Sequence, residues 1–164
     1  YYDYDRVDLK QIYDFCGDEY IFMFKMHPFV QTPPEIPDAY KDRIVDFSYY
    51  ENINDLYYVT DLLITDYSSN YFEYALMRKP VLFFTYDRET YELIRGVHRP
   101  VKESAPGKVC DTFDEMMDAL KSGDFEKEKI DKFVEENFGD YDGRAADKAI
   151  DAILLKDKKG DGRH

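Results

Sequence analysis

The stretch Asp61-Leu62-Leu63-Ile64-Thr65-Asp66-Tyr67-Ser68-Ser69-Asn70-Tyr71-Phe72-Glu73-Tyr74-Ala75 decides the fold. A short apolar run passes straight into a polar turn, after which apolar residues recur at helical spacing. That pattern predicts a strand over Asp61 to Thr65 and a helix over Tyr71 to Met77. Lys79-Pro80 closes the helix, because proline lacks the N–H that would continue it, and Val81 to Thr85 makes the next strand.

Upstream the same alternation appears. Leu9, Ile12, Tyr13 and Cys16 share one face of a helix over Val7 to Cys16, and Gly17 is placed to stop it. Tyr20 to Met26 is almost continuously apolar, as a strand buried on both faces of a parallel sheet requires. Pro28 biases His27 toward extended geometry and ends that strand. Gln31 to Lys41 holds three of the seven prolines and is expected to be irregular. A strand at Arg43 to Phe47 follows, then a short helix from Ile53 with Asn52 as cap and Asp55 in its first turn.

Downstream of Pro106-Gly107, Lys108 to Cys110 reads as a short strand. Thr112 and Glu115 have capping-box spacing, and Phe113, Met116, Met117 and Leu120 form the apolar face of the helix they start. Helices are expected over Phe125 to Phe138 and Arg144 to Leu155. Strands alternating with helices through short connections imply an α/β, Rossmann-like parallel sheet with helices on both faces. No repeat or boundary interrupts it, so residues 1-155 are read as one domain and the charged tail 156-164 as disordered.

Composition narrows the function. With 164 residues there is room for one sizeable core, and an aromatic content of 17% argues against disorder. The formal net charge of -13 repels nucleic acid and anionic lipid, so any phosphate site must be a local arrangement of donors. Cys16 and Cys110 form no CxxC pair, which fits a reducing cytoplasmic setting. No run approaches the roughly 18 apolar residues of a membrane span, and the start lacks signal-peptide regions. The acidic, tyrosine-rich opening without Met points to a piece of a longer protein.

Ligands of open parallel sheets bind beyond the carboxyl ends of the strands. Here those ends are His27-Pro28, Phe47-Ser48, Thr65 to Ser69 and Thr85 to Arg88. At Thr65 to Ser69, hydroxyls and helix N–H groups could hold a diphosphate without any lysine. Equally, Ser68, Ser69 or Asn70 could simply cap the helix, with Glu73 as capping-box partner of Asn70. Local spacing leaves both readings open. His27 is either a donor or acid toward a phosphate or an ordinary loop histidine. His98, in a polar loop, and His164, in the tail, are weaker candidates. Asp3, Asp5 and Asp8 lack the glycine and glutamate of a calcium loop and read as solvated. No GxGxxG, GxxxxGK[ST] or GxSxG motif is present.

Lys25-Met26-His27-Pro28-Phe29, Asp61 to Ser69, Phe72-Glu73-Tyr74-Ala75, Lys79-Pro80-Val81, Tyr86-Asp87 and Arg95-Gly96 together resemble the CDP-glycerol glycerophosphotransferase family, which primes or polymerises wall teichoic acid. The similarity runs from the first helix to about Ile150, including Pro106-Gly107 and Asp142-Gly143-Arg144-Ala145. The resemblance implies the C-terminal, donor-binding half of a GT-B transferase, with an acceptor-side half and its histidine lying elsewhere. It implies that Ser68 and Ser69 hold the diphosphate of CDP-glycerol or a related CDP-alditol, with Thr65, Asp66 and Arg95 in the same binding set. His27 would act on the same phosphates, and Glu73 would accept from the ribose, as in the similar UDP-N-acetylglucosamine epimerases. CMP would leave as glycerol phosphate passes to a lipid-linked polymer at the inner membrane face, without cofactor or metal. His98 stands where the family commonly has an aromatic residue. A UDP-sugar glycosyltransferase domain and a non-catalytic nucleotide-binding module are the alternatives.

Overall fold

A computed structural model describes residues 3–30, 32–96, 99–139 and 142–155. His98, His164 and the tail 156–164 lie outside the described residues. The chain divides into two compact units, Tyr1–Phe133 and Val134–His164.

The first unit carries five short strands among its described residues: β1 (Phe22–Phe24), β2 (Ile44–Asp46), β3 (Leu63–Thr65), β4 (Val81–Phe84) and β5 (Lys108–Cys110). The helices are α1 (Leu9–Cys16), α2 (Ile53–Val59), α3 (Asn70–Ala75), α4 (Arg88–Arg95), α5 (Val101–Ser104) and α6 (Phe113–Ser122), with α7 (Glu128–Phe138) running into the second unit. There α8 (Ala145–Ile150) passes into a π-helical turn at Asp151–Leu155, where one helix is expected over Arg144 to Leu155.

All pairing is parallel, as the alternation requires. β1 pairs with β2, placing Phe22 beside Ile44, while β4 lies between β3 and β5, placing Leu63 beside Val81 and Leu82 beside Lys108. The strands thus form two ladders, and no pairing joins β1 to β3 among the described residues. Side chains of β4 alternate between two apolar clusters. Val81 and Phe83 pack with Tyr57 of α2, Tyr74 of α3 and Ala105. Leu82 and Phe84 pack with Ile12 and Cys16 of α1 and Met116, Met117 and Leu120 of α6. Helices therefore cover both faces of β4, and all four of its side chains are buried.

Local chemistry sets the helix ends. Asp8 caps α1 by accepting from Lys10 and Gln11 N–H at 2.9 and 3.1 Å. Asn52 caps α2 through Asn54 N–H at 3.1 Å. The predicted capping box opens α6 in full: Glu115 N–H donates to Thr112 Oγ1 at 3.2 Å, and Glu115 Oε2 accepts from Thr112 N–H at 3.3 Å. Lys79 Nζ donates to the carbonyls of Tyr57, Tyr58 and Thr60, neutralising the open end of α2 just before β4 begins. Gly107 admits no side chain, because a Cβ there would lie 1.9 Å from the Val81 carbonyl oxygen.

α4 and α5 occupy a stretch for which the sequence reading above expects no helix. Neither contains a buried residue, and Leu93 and Ile94 of α4 are 86% and 75% exposed. The amphipathic spacing of Arg88–Arg95 is present in the sequence, but the structure leaves its apolar stripe exposed.

Candidate functional site

β3 delivers buried Thr65 to the start of the serine loop. Its Oγ1 donates to Asn70 Oδ1 at 2.9 Å, and Tyr57 OH donates to the Asn70 carbonyl at 3.2 Å. Asp66 Oδ1 accepts from Ser68 N–H at 3.0 Å, so the turn is folded on its own side chains. α3 follows with Ser69 in the cap position, at φ -69° and ψ -2° and with no side-chain cap bond. That helical backbone is not the extended geometry from which a serine oxygen reaches the N–H groups of the first turn. Asn70 is already committed to Thr65, and exposed Glu73 makes no bond back to it among the described residues. Neither capping alternative is realised, and among the described residues no hydrogen bond uses the two serine hydroxyls.

Tyr67 clamps this loop to α4. Its hydroxyl donates to Asp87 Oδ1 at 2.8 Å, and its ring stacks on Tyr91 with centroids 3.7 Å apart and planes at 8°. Burial, reinforced by the Asp87 carboxylate, pushes its phenol far above the usual range. Tyr67 therefore stays protonated and serves as a strut.

His27 follows β1 by three residues. Lys25 Nζ donates to the Ser48 carbonyl at 2.9 Å, and Asp46 Oδ1 accepts from Ser48 N–H at 2.8 Å, tying the ends of β1 and β2 together. The imidazole is exposed, rests edge-on against Phe29 at 4.7 Å, and accepts from Phe29 N–H through Nδ1 at 3.1 Å. That bond assigns the proton of the neutral ring to Nε2, which is left as a donor.

The structure brings Thr65, Asp66, Ser68 and Ser69 into one turn and sets Glu73 in the helix after it. His27 stands at the end of the other ladder. Arg95 is exposed at the last residue of α4, and no hydrogen bond or ion pair joins it to the other candidates among the described residues.

A second polar centre sits at the end of β5. Asp111 takes a bidentate pair from Arg88 at 2.9 and 3.0 Å, a Lys102 ammonium at 2.7 Å and the buried Thr85 hydroxyl at 3.2 Å. Arg88 also reaches Glu92 at 3.6 Å, Glu92 accepts from Val101 N–H at 3.3 Å, and Glu115 accepts from Asp111 N–H at 2.8 Å. Hydrogen bonding to Arg88, ahead of Lys102, holds the Asp111 carboxyl well below the usual carboxylate range. An open cavity of about 530 Å³ adjoins it, lined among others by Asp5, Arg6, Asp8, Tyr86, Asp111 and Thr112, and by none of the six residues of the predicted donor set or His27. Of the aspartates expected to be solvated, Asp8 is the α1 cap and Asp3 pairs with Arg6 at 3.2 Å. Sequence patterns single out four strand ends and omit Asp111-Thr112, the fifth. The signal was the acid placed between a strand and a capping box. Among the described residues no group of three or more His, Cys, Asp or Glu could hold a metal, and no helix is long and apolar enough to cross a membrane.

Comparison with known proteins places these features. Residues 1–155 match the family described as CDP-glycerol:poly(glycerophosphate) glycerophosphotransferase. A teichoic acid poly(ribitol-phosphate) polymerase of Bacillus spizizenii is 42% identical over 94% of this chain, and the teichoic acid ribitol-phosphate polymerase TarL of Staphylococcus aureus is 37% identical over 92%. The chain covers 25% and 27% of those two proteins. Among solved structures, the wall teichoic acid polymerase TagF superposes with a TM-score of 0.73 at 30% identity, over 94% of this chain and 38% of that one. A variant of TagF soaked with CDPG gives 0.72 at 28% identity, over 100% of this chain and 42% of that one. The match shows an α/β fold like that of the GT-B-like polymerase TagF, and this chain belongs to the CDP-glycerol:poly(glycerophosphate) glycerophosphotransferase family.

Proposed function

We propose that this domain binds CDP-glycerol and, with an acceptor-side half, transfers glycerol phosphate to a polymer hydroxyl. The acceptor oxygen attacks the phosphorus that bears glycerol, the bond from that phosphorus to the bridging oxygen breaks, and CMP leaves. The observation that carries this reading is the pair of uncapped serine hydroxyls at the end of β3, in a family that uses a CDP-linked donor. Ser68, Ser69 and the loop N–H groups take the diphosphate charge. α3 has six residues, so its dipole is a minor contributor beside these direct donors. His27 donates through Nε2 to the departing CMP phosphate, Glu73 accepts from the ribose, and Arg95 supplies a cation. Catalysis is then positioning and electrostatic stabilisation, and the acceptor's base comes from the other half. On this reading the whole protein works from the cytoplasm on a lipid-linked polymer, peripheral to the membrane.

A CDP-ribitol donor is the second reading, favoured by the two ribitol-phosphate polymerases at 42% and 37% identity. Titration calorimetry of the chain with CDP-glycerol, CDP-ribitol and UDP-N-acetylglucosamine separates the cases. Saturable binding of a CDP-alditol is expected, and the tighter of the two names the donor. Preference for the UDP-sugar would make this a glycosyltransferase domain, and no binding at millimolar concentration would leave a non-catalytic module.

A further inference from the structure

His27 and the serine turn belong to different ladders, and among the described residues no strand pairing joins those ladders. A common core sets them side by side, with Phe24 of β1 and Ile44 of β2 in the same cluster as Leu82 and Phe84 of β4. Met26 is the last residue after β1 to pack on that core before the chain reaches His27. His27 itself is exposed, in a segment that carries Pro28, Pro33 and Pro34 and forms no strand or helix among the described residues. Val30 N–H donates to the His27 carbonyl at 2.8 Å and closes a local turn. Among the described residues from 27 to 36, one hydrogen bond reaches a distant element: Tyr4 OH donates to the Thr32 carbonyl at 2.8 Å, across 28 positions. Burial, and after it the Asp46 carboxylate at the end of β2, raises the Tyr4 phenol above its usual range, so the hydroxyl keeps the proton it donates.

Tyr4 belongs to a short 3-10 turn, Tyr4–Arg6, whose other side is fastened to the second ladder. The Arg6 guanidinium stands over the Tyr86 ring beyond β4 at 5.8 Å, and Asp3 holds it by an ion pair of 3.2 Å. Burial raises the Tyr86 phenol, and the Asp3 main-chain N–H, donating to it, offsets part of that rise. Arg6 N–H and Val7 N–H donate to the Asp3 and Tyr4 carbonyls at 3.3 and 3.0 Å, so the turn is closed on itself. Tyr86 is followed by Asp87, which accepts from the Tyr67 hydroxyl of the serine turn. Contacts thus run without a break from the serine turn through Asp87 and Tyr86 to Asp3 and Arg6, and from Tyr4 to the loop of His27.

We infer that the turn Tyr4–Arg6 is a brace across the carboxyl ends of the strands, and that Tyr4 is a positioning residue that sets His27 against the serine turn. The inference rests on the reading of His27 as a donor to the departing phosphate. Tyr4 acts through the Thr32 carbonyl and touches none of the reacting atoms. Its effect falls on turnover, because a donor displaced by about 1 Å can cost roughly two orders of magnitude in rate. Ground-state binding, shared among the serines and the loop N–H groups, changes little when one loop loosens.

The test uses the full-length enzyme and Tyr4→Phe, which keeps the ring and removes the hydroxyl alone. Amide hydrogen exchange over residues 29–32 should quicken roughly tenfold, the scale of one lost hydrogen bond, with exchange in β4 unchanged. Turnover should fall about tenfold while donor affinity stays within about twofold. In a His27→Ala background the same substitution should alter kcat by less than about twofold, because no donor is left to position. Arg6→Ala, at the other end of the brace, should repeat the changes in exchange and in kcat. A His27→Ala enzyme with unchanged kcat would overturn the donor reading of His27 and the positioning role with it. Where His27→Ala does lower kcat, the inference alone is overturned by unchanged exchange or kcat in either brace variant, or by a Tyr4→Phe loss that persists in full beside His27→Ala. An equal loss of donor affinity in Tyr4→Phe would make Tyr4 a ligand contact and overturn it as well.

Discussion

The ends of β3 and β5 belong to one three-stranded ladder but use their polar groups in opposite ways. At β5 every charge has an internal partner: Asp111 gathers Arg88, Lys102 and Thr85, and its own N–H goes to Glu115. At β3 the bonds of Thr65, Asp66 and Asn70 shape the turn and leave Ser68 and Ser69 hydroxyls, with Glu73 behind them, outside the network. A satisfied cluster rigidifies a scaffold, whereas a shaped turn with unspent donors is ready for a ligand.

Four measurements would break or sharpen this contrast. The largest effect is expected outside both ends, at His27. In the full-length enzyme His27→Ala should lower kcat by roughly 10² to 10³, the scale of one lost donor to transition-state charge, with donor affinity changed far less. Equal losses in both would assign it to ground-state binding.

Next comes Asp111→Asn. Chemical denaturation should show about 2 to 3 kcal/mol less stability, the usual range for hydrogen bonds to charged groups, with donor affinity unchanged. A loss of affinity without a loss of stability would move Asp111 into the binding site. Its pH dependence follows from the lowered folded-state value. The added stability is complete above the unfolded carboxyl value of about 4 and disappears as pH falls through the folded one. The variant should therefore lose less stability between pH 5 and about 2 than the parent chain does.

Ser68→Ala with Ser69→Ala should do the reverse, weakening donor binding by about 1 to 3 kcal/mol while stability stays within about 0.5 kcal/mol. Unchanged affinity in the folded double variant would remove the serines from the site. Smallest is Thr112→Ala, which should cost about 1 kcal/mol of stability through loss of the capping box and leave binding alone.

How far the sequence discloses these two ends depends on the range of the forces involved. The capping box at Thr112 and Glu115 and the strand Lys108 to Cys110 are legible because neighbours in the chain create them. The expected strand Tyr20 to Met26, read as buried on both faces, narrows to Phe22–Phe24 with only Phe24 buried, because pairing ends with its partner at Ile44–Asp46 and Tyr20 and Ile21 are exposed. The serine turn is locatable from the strand-to-helix transition, yet its uncapped state depends on Thr65 reaching Asn70. Arg88 and Asp111 meet across 23 positions, and no periodicity announces such a pair. α4 differs again: its spacing is amphipathic, yet it buries no residue, so its pattern does not report packing against the core.

Tyr67 gives the donor turn a mechanical property. Its ring lies flat on Tyr91 of α4 while its hydroxyl holds Asp87, the residue just before α4, so turn and helix are coupled at two points. A tilt of α4 would move Tyr67, and with it the neighbouring Ser68, as a crank arm does. A mutation or contact anywhere along α4 can thereby detune the serines without touching them.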